Sequence, residues 1–266
     1  MYKMDGEKDL QLLEKRFEEL SRIAYQRDII TFTDFLNLNE QNILHTLPKD
    51  RLFTRISSFG GYGMAERQMA AFIPDALYLR YGKSEITPAE AGYPFCAVKI
   101  MPLSRKFSED LTHRDYLGAV LNLGIERSKT GDILPYGNDA LIFVHQDMTE
   151  LICSELIRVR HTSVRAEIVS LTEIDYTPKY EEIRGTVASV RLDSLLSVAF
   201  SSSRTKLTGL IEGARVYVNG RLVTSNGYQP CEGDVISVRG MGKFRYESQG
   251  AVTKKKRISV VVHRYV

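Results

Sequence analysis

RLDSLLSVAFSSSRTKLTGLIEGARVYVNGRLVTS, residues 191–225, followed by EGDVISVRGMGKFR at 232–245, decides how the C-terminal third of the chain folds. Leu192, Leu195, Leu196 and Ala199 recur at helical spacing and give one short helix an apolar face. Ser203 is placed to N-cap a second helix, whose Leu207, Leu210 and Ile211 point inward and which Gly213 stops. Arg204 and Lys206 then stay outside, in its first turn. Cations gain nothing there from the helix dipole, so their placement points to an outside anion such as phosphate. Val216-Tyr217-Val218 and Arg221-Leu222-Val223 flank Asn219-Gly220, a pair suited to a two-residue hairpin turn. Glu232-Gly233-Asp234 turns the chain again before a strand from Val235 to Arg239. These elements predict a helix pair on a small sheet, with a basic rim along one side.

Four segments of that stretch, Arg191-Leu192-Asp193, Ser203-Arg204, Val216-Tyr217-Val218-Asn219-Gly220 and Gly233-Asp234, resemble the S4 RNA-binding domain in order and spacing. The resemblance implies binding to structured RNA, most often ribosomal or transfer RNA. Arg204 and Lys206, with Ser203, Arg191, Arg215 and Arg221 around them, would hold phosphates, and Asn219 would shape the hairpin beside them. Charge agrees with this expectation. Residues 181–266 carry 14 Lys and Arg against 7 Asp and Glu, which leaves 22 against 26 in the first 180 residues. A net +7 segment on a net −4 body is an electrostatic footprint for a polyanion. Lys254, Lys255, Lys256 and Arg257 sharpen it, and the apolar run Ile258 to Val262 behind them predicts that the four cations open a strand. They are read as phosphate contacts; a solvated run guarding an aggregation-prone strand is the other reading.

With 266 residues, 43% hydrophobic and 26% charged, the chain has material for two or three folded domains. The first 25 residues are charged throughout, and no apolar run approaches the roughly 18 residues a membrane span needs. No leader or membrane segment is therefore expected. Cys96, Cys153 and Cys231 are far apart and lack paired histidines, so neither zinc nor a disulfide framework is expected, and a reducing cytoplasm is the natural home. No cofactor is predicted.

Between 85 and 172 the order is β-α-β-β-α-β. Residues 93–102 read as a strand, and Thr112-His113-Arg114-Asp115 as a capping box opening a helix with Leu117, Val120 and Leu121 inward. A hairpin turns at Gly137-Asn138-Asp139. Asp147 and Glu150 then form a second box, for a helix with Met148, Leu151, Ile152, Leu156 and Val159 on one face. Val164, Ala166 and Ile168 alternate in a last strand. This is the split βαβ arrangement of ferredoxin-like and RRM-like domains. An RRM displays paired aromatics and a Lys/Arg-Gly-Phe consensus on its central strands, whereas Asp139 to Val144 offers only Phe143, so base stacking on the sheet is not expected. Residues 1–84 predict a mixed unit: a helix with Leu10, Leu13, Phe17, Leu20 and Ala24 on one face, a second from Asn39 to Leu47, and a strand from Leu52 to Ser58. Phe59-Gly60-Gly61-Tyr62-Gly63 follows and is read as a structural turn, since neither a P-loop nor a dinucleotide fingerprint fits it. The expected class is α+β: a mixed domain over 1–84, an RRM-like plait over 85–172, and an S4 domain over 181–266.

Phe59-Gly60-Gly61-Tyr62 with Ala65-Glu66-Arg67, then Leu111 to Gly118 and Asn122-Leu123-Gly124-Ile125, look like the bacterial YlmH family of S4-domain proteins along the whole chain. This resemblance implies a cytoplasmic protein that binds ribosomal RNA and tRNA on the large ribosomal subunit and clears stalled peptidyl-tRNA complexes; a monomer is expected. It also carries a link to cell division that no residue here supports. A catalytic role is not expected, because the helix cap accounts for Thr112 and Asp115, and no motif ties a nucleophile to His113. His113 and Arg114 remain candidates for RNA contact. Two alternatives stand beside this reading. One is a protein-interaction adaptor working through the acidic part of the chain. The other is an RNA-modifying enzyme with an S4 domain, for which the only Arg-Leu-Asp, at 191–193, is already used by the S4 pattern.

Overall fold

The computed structural model describes residues 7–171 and 179–265, apart from the side chains of Glu7 and Arg204. The chain divides into two compact units, 1–175 and 176–266. The class is α+β, as the patterns predict.

In the first unit, α1 (Glu7–Arg27) lays Phe17, Leu20 and Ala24 against α2 (Leu38–Thr46) and a three-stranded sheet. That sheet consists of β1 (Thr31–Phe32), β2 (Arg55–Phe59) and β3 (Met69–Ile73), in the order β1-β3-β2. Leu10 stands outside the predicted apolar face, exposed near the start of α1. Asn37 caps α2 in a reciprocal box with Glu40. The strand expected from Leu52 begins only at Arg55, because the chain first makes a 3-10 turn over Lys49–Arg51, and Ser21 Oγ then accepts from the Phe53 N–H. Two short helices follow, α3 (Asp75–Tyr81) and α4 (Pro88–Ala91).

The second half of this unit comprises β4 (Phe95–Pro102), α5 (His113–Leu121), β5 (Thr130–Tyr136), β6 (Asp139–His145), α6 (Thr149–Glu155), β7 (Arg158–Val159) and β8 (Thr162–Val169). The sheet runs β5-β6-β4-β8-β7, and β4 lies antiparallel between β6 and β8. With the β7 ribbon set aside, this is the strand order of a split βαβ plait. One sheet face, with Val98, Ile100, Ile142 and Val144, packs on Tyr116 and Val120 of α5 and Ile152 of α6. Two local expectations fail. No side-chain cap forms before α6; a 3-10 turn over Gln146–Met148 precedes it and Asp147 pairs with His145. Helix α6 also ends at Glu155, so Val159 reaches the core from β7, while Leu121 and Leu151 face outward.

The second unit has one six-stranded antiparallel sheet covered by a helix pair. Its elements are β9 (Tyr180–Val187), α7 (Leu192–Phe200), α8 (Arg204–Glu212), β10 (Val216–Val218), β11 (Arg221–Leu222), β12 (Val235–Val238), β13 (Gly242–Val252) and β14 (Ile258–Tyr265), and the strand order is β11-β10-β12-β13-β14-β9. Leu192, Leu195, Leu196 and Ala199 of α7 and Leu207 and Ile211 of α8 are fully buried against Val216, Ile236, Phe244, Val260 and Val262. Asn219 and Gly220 both take positive φ, 48° and 76°, as a type I′ hairpin turn requires.

Candidate nucleic-acid interface

The helix pair fixes where the cations of the second unit stand. Arg191 occupies the N-cap position of α7, its guanidinium 3.4 Å from Asp193. Ser203 holds the N-cap position of α8 but makes no side-chain cap bond, so its hydroxyl stays on the exposed surface. Arg204 opens α8, and its side chain lies outside the described residues. Lys206 is exposed on the same first turn. Arg215 follows the helix, exposed, and its carbonyl accepts from the Arg239 N–H at 2.9 Å, which sets these two residues side by side. The Arg239 guanidinium lies 5.4 Å from the centre of the Tyr217 ring. Tyr217 is buried, and that burial raises its hydroxyl pKa, with the Arg239 charge opposing the shift. Arg221 is exposed on edge strand β11.

Asn219 has a different task from these cations. Its side-chain N–H donates to Asp234 Oδ1 at 2.7 Å and its side-chain oxygen accepts from the Val235 N–H at 2.9 Å. The amide thus ties the β10–β11 turn to the Gly233-Asp234 turn.

Lys254, Lys255 and Lys256 do not open a strand. They form the tip of the β13–β14 hairpin, closed by Thr253 N–H to the Arg257 carbonyl (2.7 Å), Lys256 N–H to the Thr253 carbonyl (2.9 Å) and Arg257 N–H to Thr253 Oγ1 (3.1 Å). The turn wins because Thr253 can receive the chain on itself, and Lys256 takes up a φ of 57° to complete it. Arg257 reaches back across the sheet edge, donating from Nε to Thr186 Oγ1 at 3.1 Å and from its second nitrogen to the Thr186 carbonyl. All four cations are exposed.

Other arginines of this unit are committed to acids: Arg184 to Glu182, Arg245 to Glu247 and Arg264 to Glu181. Among the described residues, Lys206, Arg215 and the three hairpin lysines make no ion pair with a carboxylate. Exposed, unpaired cations of this kind are available to phosphates.

In the first unit, the sheet face that an RRM would offer to bases is occupied. Phe143 is fully buried; Tyr62 stacks on it with ring centres 5.6 Å apart, and Phe95 meets it edge-on at 6.3 Å. Gly61, at φ +98°, sits where a Cβ would lie 2.2 Å from the Phe143 ring. Asp132 holds this cover in place, accepting from Tyr62 Oη (2.8 Å), Glu66 N–H (2.7 Å) and Arg67 N–H (3.0 Å). Arg67 is buried, and its guanidinium donates to the carbonyls of Thr130, Phe35 and Arg127. Burial pulls its pKa down, as it does for Arg127, lowered to about 10 by burial and by the Arg67 charge. The glycine cluster is therefore structural. Sequence patterns missed Asp132 and the role of Arg67.

The Asp115 carboxylate accepts from Thr112 N–H and Oγ–H at 2.8 and 2.6 Å, which anchors the start of α5. His113 and Arg114 are exposed on that turn. Although the His113 side chain reaches solvent, protein packed behind it and then the Arg127 charge lower its pKa, which favours the neutral imidazole. Among the described residues, no group of three or more His, Cys, Asp or Glu is arranged to hold a metal ion, and no helix is long and apolar enough to cross a membrane.

Two family models match the chain: "Putative RNA-binding domain in YlmH" over residues 88–173 and "S4 domain" over 190–236. A Bacillus subtilis (strain 168) protein named "Ribosome-associated protein quality control protein P2" is 30% identical over 247 residues, covering 92% of this chain and 91% of its own. A solved structure named "Cell division protein ylmH from Streptococcus pneumoniae" is 26% identical, with a TM-score of 0.48, and covers 66% of this chain and 99% of that one.

Proposed function

Because the chain belongs to the YlmH family of S4-domain RNA-binding proteins, we propose that it is a non-catalytic protein of the large ribosomal subunit. It binds ribosomal RNA and tRNA and acts in the rescue or quality control of stalled peptidyl-tRNA complexes. The name of the Bacillus subtilis relative supports the ribosomal setting. The observation that carries the reading is the α8 surface, where Lys206 and Arg215 are exposed without carboxylate partners on a fully packed helix pair. Arg204, Arg191, Ser203 and Arg221 complete the phosphate-binding side, and His113 and Arg114 are a further point of contact. The protein works as a cytoplasmic monomer.

Crosslinking and sequencing of RNA bound in cells, run for the wild type and for Arg204→Glu with Lys206→Glu, tests this. Large-subunit rRNA and tRNA reads that disappear in the variant are expected. Crosslinks insensitive to the substitutions would sink the α8 surface as the site, and their absence in the wild type would favour a protein-interaction adaptor.

A further inference from the structure

The S4 family match ends at residue 236, before β13 and β14 begin, yet the turn that joins those strands carries the densest run of cations in the chain. Three features make the hairpin tip more than a solvated loop. Lys254, Lys255 and Lys256 are held together by a turn closed on Thr253, so their backbone is ordered before any ligand arrives. Arg257 is fixed against Thr186 by two hydrogen bonds, which position its guanidinium. Beside it, the hydroxyl residues Thr186, Ser194 and Ser197 line a cleft between the end of β9 and α7, with Arg257 forming part of its wall. The cleft has an oriented guanidinium in its wall and hydroxyl side chains beside Val187, Ala188 and Val198, and three exposed lysines directly precede Arg257 in the chain; together these groups have the chemistry of a phosphate seat.

Its place in the sheet separates it from the α8 surface. The register puts Arg215, one residue before Val216, level with Val238 and so with Gly242 at the start of β13, and puts the hairpin tip beyond Val252 at the far end of that strand. The 11 residues of β13, at about 3.3 Å each, give on the order of 30 Å along the strand. Neighbouring phosphates on one strand advance only about 3.4 Å, so adjoining nucleotides cannot serve both places.

We propose that the β13–β14 hairpin and its cleft are a second phosphate-binding seat for structured RNA. With the α8 surface it grips two separate backbone segments of one folded RNA. The proposal rests on the RNA-binding function above and adds a second contact to it.

The test measures full-length protein binding to a fluorescent RNA stem-loop of about 16 base pairs, long enough to span both seats, by anisotropy over a KCl series. It compares wild type with Lys254→Gln/Lys255→Gln/Lys256→Gln and with Lys206→Gln/Arg215→Gln. The lysines carry the test because they are exposed and make no ion pair, whereas Arg257 also braces β9. The hairpin variant is expected to flatten the slope of log affinity against log salt by about 2 to 3, with at least a tenfold loss of affinity at low salt; the α8 variant should flatten it by about 1 to 2. A hairpin variant that binds like wild type, while the α8 variant weakens, overturns the second seat and leaves the proposed function standing. Unchanged binding in both variants overturns the two together.

Discussion

Single residues decide whether the plait can present its sheet. Gly61 has φ +98° and no room for a side chain beside Phe143, whereas a Cβ on Gly63 meets nothing within 4 Å. Gly61→Ala should therefore cost about 2 kcal/mol or more, combining backbone strain with overpacking, while Gly63→Ala stays within about 0.5 kcal/mol. Equal urea midpoints for the two variants would refute this packing. Asp132→Ala removes the acceptor for two backbone N–H groups and the Tyr62 hydroxyl. A loss of about 1–3 kcal/mol is expected, since two of the three bonds are partly buried and the third is exposed; unchanged denaturant stability would count against the hub. Such a hub leaves little trace in a sequence, because its partners lie 65 to 70 residues away. His113 contributes a pH effect of defined sign. Its folded pKa is lowered, so below the ordinary histidine value the unfolded chain binds more protons than the folded one. Its contribution to stability is present above the ordinary histidine value and is lost as pH falls through the folded pKa. His113→Gln should make the thermal midpoint less sensitive to pH between about 7 and 5, and the same pH dependence in both proteins would contradict it.

At the scale of elements, the legible parts were those whose signals are local. The apolar faces of α7 and α8 and the Asn219-Gly220 turn could be read within a few residues, and each forms where expected. Strands β9 and β13 gave no such signal. Residues 180–187 are mostly polar, and β13 shifts register between Tyr246 and Ser248 and again between Gln249 and Val252, which breaks the alternation that marks a strand. The lysine run was misplaced for a related reason: the closure of the turn depends on Thr253, not on the charges. The tie between turns yields a prediction. Asn219→Ala loses both bonds to the Gly233-Asp234 turn and puts a side chain with no local hydrogen bond at φ 48°. It should destabilise the second unit by about 1–3 kcal/mol yet leave RNA affinity within about twofold when binding is measured well below the unfolding transition. A large loss of affinity in a fully folded variant would instead make Asn219 a direct RNA contact.

Across the whole molecule, charge follows the division into units. Residues 176–266 hold 15 Lys and Arg against 7 Asp and Glu, a net +8, and residues 1–175 hold 21 against 26, a net −5. Phosphate attraction is thus concentrated in the second unit. The first unit matches an RNA-binding family model over 88–173, yet its aromatic sheet face is covered by its own Tyr62. Any RNA contact it makes must use another surface, and its net charge suits discrimination between RNAs better than backbone attraction. Removing residues 1–175 should therefore leave the salt slope for a structured RNA within about one unit of the full chain, because the remaining unit keeps its own buried core and all of its cations. The same removal should narrow the preference for ribosomal RNA over an unrelated stem-loop of equal length. A slope that falls by about three or more would place major phosphate contacts in the acidic unit, and the division of labour argued from charge would then be wrong.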